Sequence, residues 1–545
     1  MIYTKEVMNM ELLSSPFGSV AHSLMLTLEK AKELGETKIS ISNGVYHVYQ
    51  EDAAAPVLCV ANHGHNGYKS TALAIKDMHN LTIDGNGSTF ILHGCMDFAI
   101  VHQSHNITIK NLTVTCADTC NFQGIVTDVQ GSTVTIQLQE HTPLLQFGDG
   151  LFQRIDHQYE PMGRTLNYIP ATREIRRGTG DENFGMPFNQ LRKKLDGDTL
   201  YLFDVPNAPP VGDTIVFTIS RRCNQAFLLS HSTNILLENI TVHTCWGMAF
   251  IAQKCRDVTI RRCTVTPERD RCWSAGQDAA HFVNCSGTVI IEESLFENQL
   301  DDAVNLHGIY TLISQVRDNQ ILVRYSHWQT RGIDIYSPGN KLQILDRESQ
   351  QPLAFAEITE VKSLNPDSTI LSLRNIRGPI EPGMIVENLS DEADAYIRNN
   401  VFRNNRARGM LIAGKGHIEI IGNQFHSGGA AIQFESDPIK WFECGGVRDV
   451  LIQDNDFIDC RHGRWGRAVI DICKRMKAVE DFYYHETIAI ISNRFDQENV
   501  PCVWCDNVEN LVFKNNAYCA PQSVMAAHSI VNGIIIEKEG AINAE

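Results

Sequence analysis

No run of apolar residues in this 545-residue chain approaches the length of a membrane-spanning helix, which needs about 18–20 in succession. Positive charge is also in short supply. Lys and Arg number 47 against 64 Asp and Glu, a net charge of −17. That balance gives no electrostatic footprint for nucleic acid or an anionic membrane, and it suits a neutral ligand such as a sugar. The opening residues MIYTKEVMNM lack the apolar core of a signal peptide. The 16 cysteines form no dense small-domain framework; Cys116, Cys223, Cys263 and Cys285 fall inside strand-like runs and are expected as buried free thiols. A cytoplasmic location is therefore expected, or a secreted or periplasmic one where a leader has been removed. Helical segments between the strand-like runs are missing too, which argues against a doubly wound α/β fold.

What is present is a repeat. Asn80-Leu81-Thr82-Ile83-Asp84-Gly85 recurs as Asn106-Ile107-Thr108-Ile109-Lys110-Asn111 and as Asn234-Ile235-Leu236-Leu237-Glu238-Asn239. It returns at Asp257–Val265, Thr288–Ile291, His417–Phe425, Asp449–Phe457, Ile488–Phe495 and Asn510–Asn516. Alternation within each run means strands with one buried face. Copies of one unit at roughly twenty to forty residues signal a solenoid whose coils touch only their neighbours. The predicted fold is all-β: a right-handed parallel β-helix of the pectin-lyase-like type. Asn or Asp after each strand is expected to turn left-handed and to bond its counterparts in adjacent coils.

Val20, Leu24, Leu28, Ala31 and Leu34 fall at helical spacing, with Gly35 placed to end the helix. Residues 1–50 are therefore expected to form a cap over the open end of the solenoid. Coils are expected over 51–124, 223–308 and 389–545. Two interruptions, 125–222 and 309–388, contain hairpin-like runs and read as small inserted antiparallel β-barrels. The second begins directly after a pair of aspartates, so it is expected to wall a cleft there. Either insertion is compatible with contacts in a homodimer.

That pair is Asp301–Asp302. Asp278 lies 24 residues before Asp302, about one coil, and aligning the two segments sets Ala279 on Ala303 and Phe282 on Leu306. Stacked coils are about 4.8 Å apart, so Asp278 and Asp302 would share a proton or hold a water between them. Asp301 cannot point the same way as Asp302 in a regular strand, but at a bend both reach one cleft. A protonated carboxyl beside carboxylates that activate water is what inverting glycoside hydrolysis uses. Aspartates that cap turns or bind a cation are the alternative. Around them, Trp246 is a candidate sugar-stacking platform or a core residue, one coil below Asp278. His281, Asn305 and His307 follow the aspartates in aligned positions. Arg408 falls in the same column one coil on, with Glu435 and Trp441 beyond it. Asn62-His63-Gly64-His65 reads as a polar turn, since no third ligand follows at metal spacing.

The chain resembles glycoside hydrolase family 110, the exo-acting α-1,3-galactosidases. The resemblance rests on Ser42-Asn43-Gly44-Val45-Tyr46-His47, on Leu81–Gly87, and above all on Asp278-Ala279-Ala280-His281-Phe282 followed by Leu300–Gly308. The two insertions match the family layout. The resemblance implies Asp301 as general acid and Asp278 with Asp302 as the water-activating pair. It also implies inversion, no cofactor or metal, and a glycan substrate ending in α-1,3-linked galactose, of branched blood-group-B or linear type. A family 28 polygalacturonase pairs aspartates similarly, but its Gly-His-Gly and Arg-Ile-Lys segments do not occur here. A glycan-binding β-helix without catalysis is the remaining alternative.

Overall fold

The computed structural model describes residues 9–63, 67–139, 144–155, 158–219, 222, 224–473, 479, 482–519, 527–531 and 534–537. Cys223 and His65 lie outside them. The chain winds as a parallel β-helix, and the repeats read from the sequence stack one above another. A single column runs Leu81, Ile107, Ile235, Val258, Val289, Ala395, Ile418, Val450, Ile488 and Leu511, each paired in parallel with the next. All ten are buried apolar side chains, as period-two alternation demands of a strand with one face inward. A second interior column stacks Phe296, Phe402, Phe425, Phe457 and Phe495, with centroids 4.9–5.7 Å apart. Cys116, Cys263 and Cys285 are buried free thiols, as expected.

The corner between strands divides its work between two residues. Asn399, Gly422, Asp454, Ser492 and Asn515 take the left-handed conformation, with φ between 53° and 68°. The residue after each one points inward and forms a ladder. Asn423, Asn455, Asn493 and Asn516 each accept, through Oδ1, the backbone N–H of the ladder residue one coil before, at 2.9–3.0 Å. Above them the ladder passes to Ser294 and Cys263. In these later coils the turning residue and the bonding residue are neighbours; in the earlier coils one residue does both, as expected, since left-handed Asn111 and Asn239 bond each other at 2.8 Å and Asn106 bonds Asn80 and Asn234. Asn455 also donates to the carbonyl of Ile420 at 2.8 Å and to Asn493 Oδ1 at 2.9 Å. Asn455→Leu strands several buried polar groups, at about 1–3 kcal/mol each. A clearly lower denaturant midpoint with an unchanged m-value is expected; an unchanged midpoint would show that the ladder does not hold the coils.

The cap helix spans Val20–Leu34. Ser19 accepts the N–H of His22, and Gly35 closes the helix at φ 68°. Ala21, Leu24, Leu28 and Ala31 are buried against the first coils, but Leu34 is exposed and leaves the stripe. Among the described residues no helix is long and apolar enough to cross a membrane.

The two insertions differ. Residues 311–388 close into a six-stranded antiparallel barrel. Residues 122–219 form a nine-stranded sheet that does not close among the described residues, so the expectation of two barrels holds for the second only. Neither interrupts the stacking. Val114 pairs with Val242 across the first insertion, and Val289 with Ala395 across the second.

Candidate active site

The register places the three aspartates as their spacing indicates. Ala280 pairs with Val304, and Val304 with Met410. Two residues earlier on each coil stand Asp278, Asp302 and Arg408, stacked in one column. Ala279 donates to the carbonyl of Asp302 at 3.0 Å, and Ala303 to that of Arg408 at 3.2 Å. Asp301 and Asp302 lie in a bend just before the strand Val304–Ile309, so both carboxylates reach one cleft. The coil stacking is tight at this point: a Cβ on Gly409 would meet the carbonyl oxygen of Ala431 at 2.4 Å.

The cleft holds about 360 Å³. Asp278, Asp301, Asp302, Asn305 and Arg408 line its floor, and Glu435 and Trp441 line one side. The wall opposite the loop 435–443 comes from the first insertion, through Arg164 and Asp181, and from Arg222 just after it. The second insertion was expected to supply that wall and contributes none of the lining; its His327 ring lies against Trp441, centroids 4.9 Å apart and tilted by 45°. Trp246 is not in the cleft either. It lies two positions before Met248, the residue in register with Asp278, and its ring packs into the core with 5% exposure. His281 and His307, expected at the ligand, are buried behind the carboxylates.

Each carboxylate has its own partners. Asp302 accepts the backbone N–H of Arg408 at 3.0 Å and its Nη2 at 2.8 Å. Asp301 accepts Arg406 Nη1 at 2.7 Å and, more weakly, Arg222 Nη2 at 3.4 Å. Arg406 turns its other edge to Asp181, with both contacts at 2.7 Å. Asp278 Oδ1 accepts the N–H of Asp302 at 3.2 Å, and its Oδ2 lies 2.6 Å from His281 Nδ1. One oxygen from each of the three aspartates lies within 4.8 Å of the others.

These contacts separate the aspartates electrostatically. Burial pushes Asp278 up to about 7, helped by the charge on Asp301. Burial also raises Asp302 well above the ordinary range, opposed by Arg408 and reinforced by Asp301 and Asp278. Burial acts on Asp301 in the same direction, but Arg406, Arg222, Arg164 and Arg408 outweigh it and hold this carboxyl at about 2. Of the three carboxyls, Asp301 is the one whose surroundings favour the charged form.

The buried histidines locate a proton. His307 Nδ1 lies 2.7 Å from the carbonyl oxygen of Gly308, which only accepts, so this nitrogen carries hydrogen. With the proton on Asp278, its carboxyl donates to His281 Nδ1, and His281 Nε2 donates to His307 Nε2, 3.0 Å away. The reverse row, with hydrogen on His307 Nε2 and a charged Asp278, contains the same number of protons. The row Asp278–His281–His307 therefore holds one proton more than an ionised carboxylate and two neutral rings would. Burial, then His307, keeps His281 well below its usual value, and burial raises Asp278 to about 7, which favours the proton on Asp278 below that pH.

The sign of the pH dependence follows. A carboxyl raised on folding lends stability that is complete at low pH and is lost as pH rises through about 7. Stability is expected to fall from about pH 4, near the unfolded value, to about pH 7, by at most about 1.4 kcal/mol per pH unit, and thermal midpoints with it. Asp278→Asn, whose amide can still donate to His281, should flatten that slope. Parallel slopes in the two proteins would refute the assigned proton.

Arg406, Asp181, Arg164, Arg222, Asn62 and Glu443 also belong to the site. Asn62 donates to Glu443 Oε1 at 2.9 Å, and Glu443 faces His307 at 3.7 Å. Arg406 was within reach of sequence reasoning, two positions from Arg408 in one motif. Asp181 sits in an irregular part of the insertion and Arg164 at a register shift within the strand Gln158–Ile169, with no repeat to align either.

Residues 320–377 match the family model described as GLAA-B beta-barrel domain II, which lies within the closed barrel. An α-1,3-galactosidase B of Akkermansia muciniphila is 28% identical over 91% of this chain and 63% of its own length. The chain thus spans less than two thirds of that relative. An α-1,3-galactosidase A of Shewanella woodyi is 28% identical over 91% of this chain and 82% of its own. Among solved structures, the A-module of an Azotobacter vinelandii mannuronan C-5 epimerase covers 97% of this chain and 99% of its own at 8% identity and a TM-score of 0.43. The two galactosidases bear out the resemblance to glycoside hydrolase family 110.

Proposed function

We propose that this chain is a glycoside hydrolase that removes terminal α-1,3-linked galactose from glycans, with inversion at the anomeric carbon. The observation that carries the reading is the column Asp278–Asp302–Arg408 with Asp301 beside it, in a cleft on a chain similar to α-1,3-galactosidases over nine tenths of its length. Asp301 protonates the departing glycosidic oxygen, and Asp278 and Asp302 activate the attacking water. Asn305, Arg408, Glu435 and Trp441 line the cleft beside them and are the groups placed to hold the sugar. A cleft of about 360 Å³ is at the small end of the ~300–1,000 Å³ of small-ligand sites, which suits one terminal sugar better than a length of polymer.

Two features bear on the mechanism. The aspartate oxygens approach within 4.8 Å, closer than the ~6.5–9.5 Å between acid and base in most inverting enzymes. The proposed stereochemistry therefore rests on the resemblance and not on this spacing. The arginines around Asp301 favour its charged form, so its role as acid requires the proton held on the Asp278 side to reach it once a galactoside displaces the weak Arg222 contact. The test is hydrolysis of Galα1-3Gal and of the blood group B trisaccharide, followed by NMR of the first sugar released. β-Galactose is expected. Initial α-galactose would overturn inversion, and no hydrolysis of either glycan would overturn the substrate assignment.

A further inference from the structure

We propose that His426, His462, Asp459 and Glu174 bind a divalent transition-metal ion, best matched by zinc, at the seam between the first insertion and the coils. Each histidine has its Nδ1 against a backbone carbonyl, His426 on Ile458 and His462 on Asp459, both at 2.9 Å. A carbonyl only accepts, so both rings carry hydrogen on Nδ1 and present a lone pair at Nε2. Backbone anchoring of this kind fixes the tautomer of metal-ligating histidines. The rings stack 5.3 Å apart at an interplanar angle of 28°. His426, Asp459 and His462 each bring a ligand atom within 4.8 Å of the others.

Two contacts lack a positive centre. His462 is 7% exposed, and its Nε2 has no hydrogen-bond partner among the described residues. His426 Nε2 lies 3.2 Å from Glu174 Oε1, so a lone pair faces a carboxylate oxygen. A proton on one ring would relieve one contact. Protons on both would set two like charges face to face. A single cation satisfies both nitrogens and both carboxylates. Two imidazoles and two carboxylates would make an N2O2 set that suits zinc and is a poor match for calcium or magnesium; Glu174, 3.2 Å from His426 Nε2, would swing in to join the other three. Arg177 Nη2 donates to Asp459 Oδ2, which leaves Oδ1 for the ion and orients the carboxylate. Ligands around zinc stand about 3.3 Å apart, so the side chains close in slightly on binding.

The position suggests the ion's work. Glu174 belongs to the first insertion, and the other three ligands to the coils. The same seam is stitched by Gly178 N–H to the carbonyl of His462 at 2.8 Å. An ion there would fasten the insertion that sends Arg164 and Asp181 into the catalytic cleft. None of the four ligands lines that cleft, so this proposal stands apart from the proposed activity.

Chelator-treated full-length protein titrated with zinc chloride tests it, by calorimetry and by thermal unfolding. One zinc per chain is expected, with a midpoint raised by about 2 °C or more at saturation. His462→Ala and Glu174→Gln should each weaken binding at least tenfold. Glu174 is partly exposed, so its variant is expected to fold even if the buried histidine variant does not. Absence of saturable binding, or binding unchanged in Glu174→Gln and in whichever histidine variant folds, would overturn the site.

Discussion

Asp301→Asn is expected to lower turnover of Galα1-3Gal by about 10²–10⁴-fold, the usual worth of a general acid, while leaving much of the activity on an aryl galactoside with a good leaving group. The asymmetry distinguishes the roles. A phenolate of low pKa departs without help, so removing the acid matters little for it. Removing a water-activating group damages both substrates, because each still needs an attacking hydroxyl. Asp278→Asn and Asp302→Asn should therefore fail on both. The electrostatics make this a demanding test, since Asp301 is held at about 2 by four guanidiniums and Asp278 stands near 7. If Asp278→Asn instead keeps the aryl activity and Asp301→Asn loses it, the proton in the empty cleft is already on the donor, and the two roles exchange.

Arg406→Met is expected to be the most destabilising single change in the cleft, at about 3–5 kcal/mol. Arg406 is buried, and its guanidinium holds Asp301 on one side and Asp181 on the other, all three contacts at 2.7 Å. Methionine keeps most of the volume and leaves two carboxylates without their main counter-charge. Asp301 then loses the largest influence that keeps it ionised, so its pKa rises. Activity should fall about a hundredfold as the carboxylate loses its fixed position. Adding Asp181→Asn should recover part of the stability, because one stranded charge is removed. A double-mutant cycle measures that coupling; additive effects would show that the Arg406–Asp181 contact carries no energy.

The solenoid and its register were legible in the sequence because a β-helix repeats one local pattern. Val258 and Val289 occupy equivalent slots, and the same bookkeeping that aligns them aligns Asp278 with Asp302 and reaches Arg408. Legibility ended where the repeat ended. Asp181 and Arg164 come from an insertion whose placement depends on tertiary contacts such as Arg406–Asp181 and Arg464–Gly178, which have no period. Trp246 takes the second of its two readings for a related reason: it stands two positions off the register of Asp278, and its ring packs into the core. His281 and His307 were found by alignment, but burial behind the carboxylates changes what they touch: they hold a proton in place where a sugar hydroxyl had been expected.

The closed barrel has a consequence for biosynthesis. Asp301 and Arg406 are in contact but lie 105 residues apart in the chain, with the barrel between them. Its first and last strands pair directly, Thr311 with Val386, so the folded barrel returns the chain to within a strand's width of where it left. A nascent polypeptide that folds the barrel first needs to close a loop several-fold shorter to complete the coil. Each halving of such a loop saves about 0.6 kcal/mol. The barrel acts as a clasp on the growing chain, and closing it first lowers the cost of bringing Asp301 and Arg406 together.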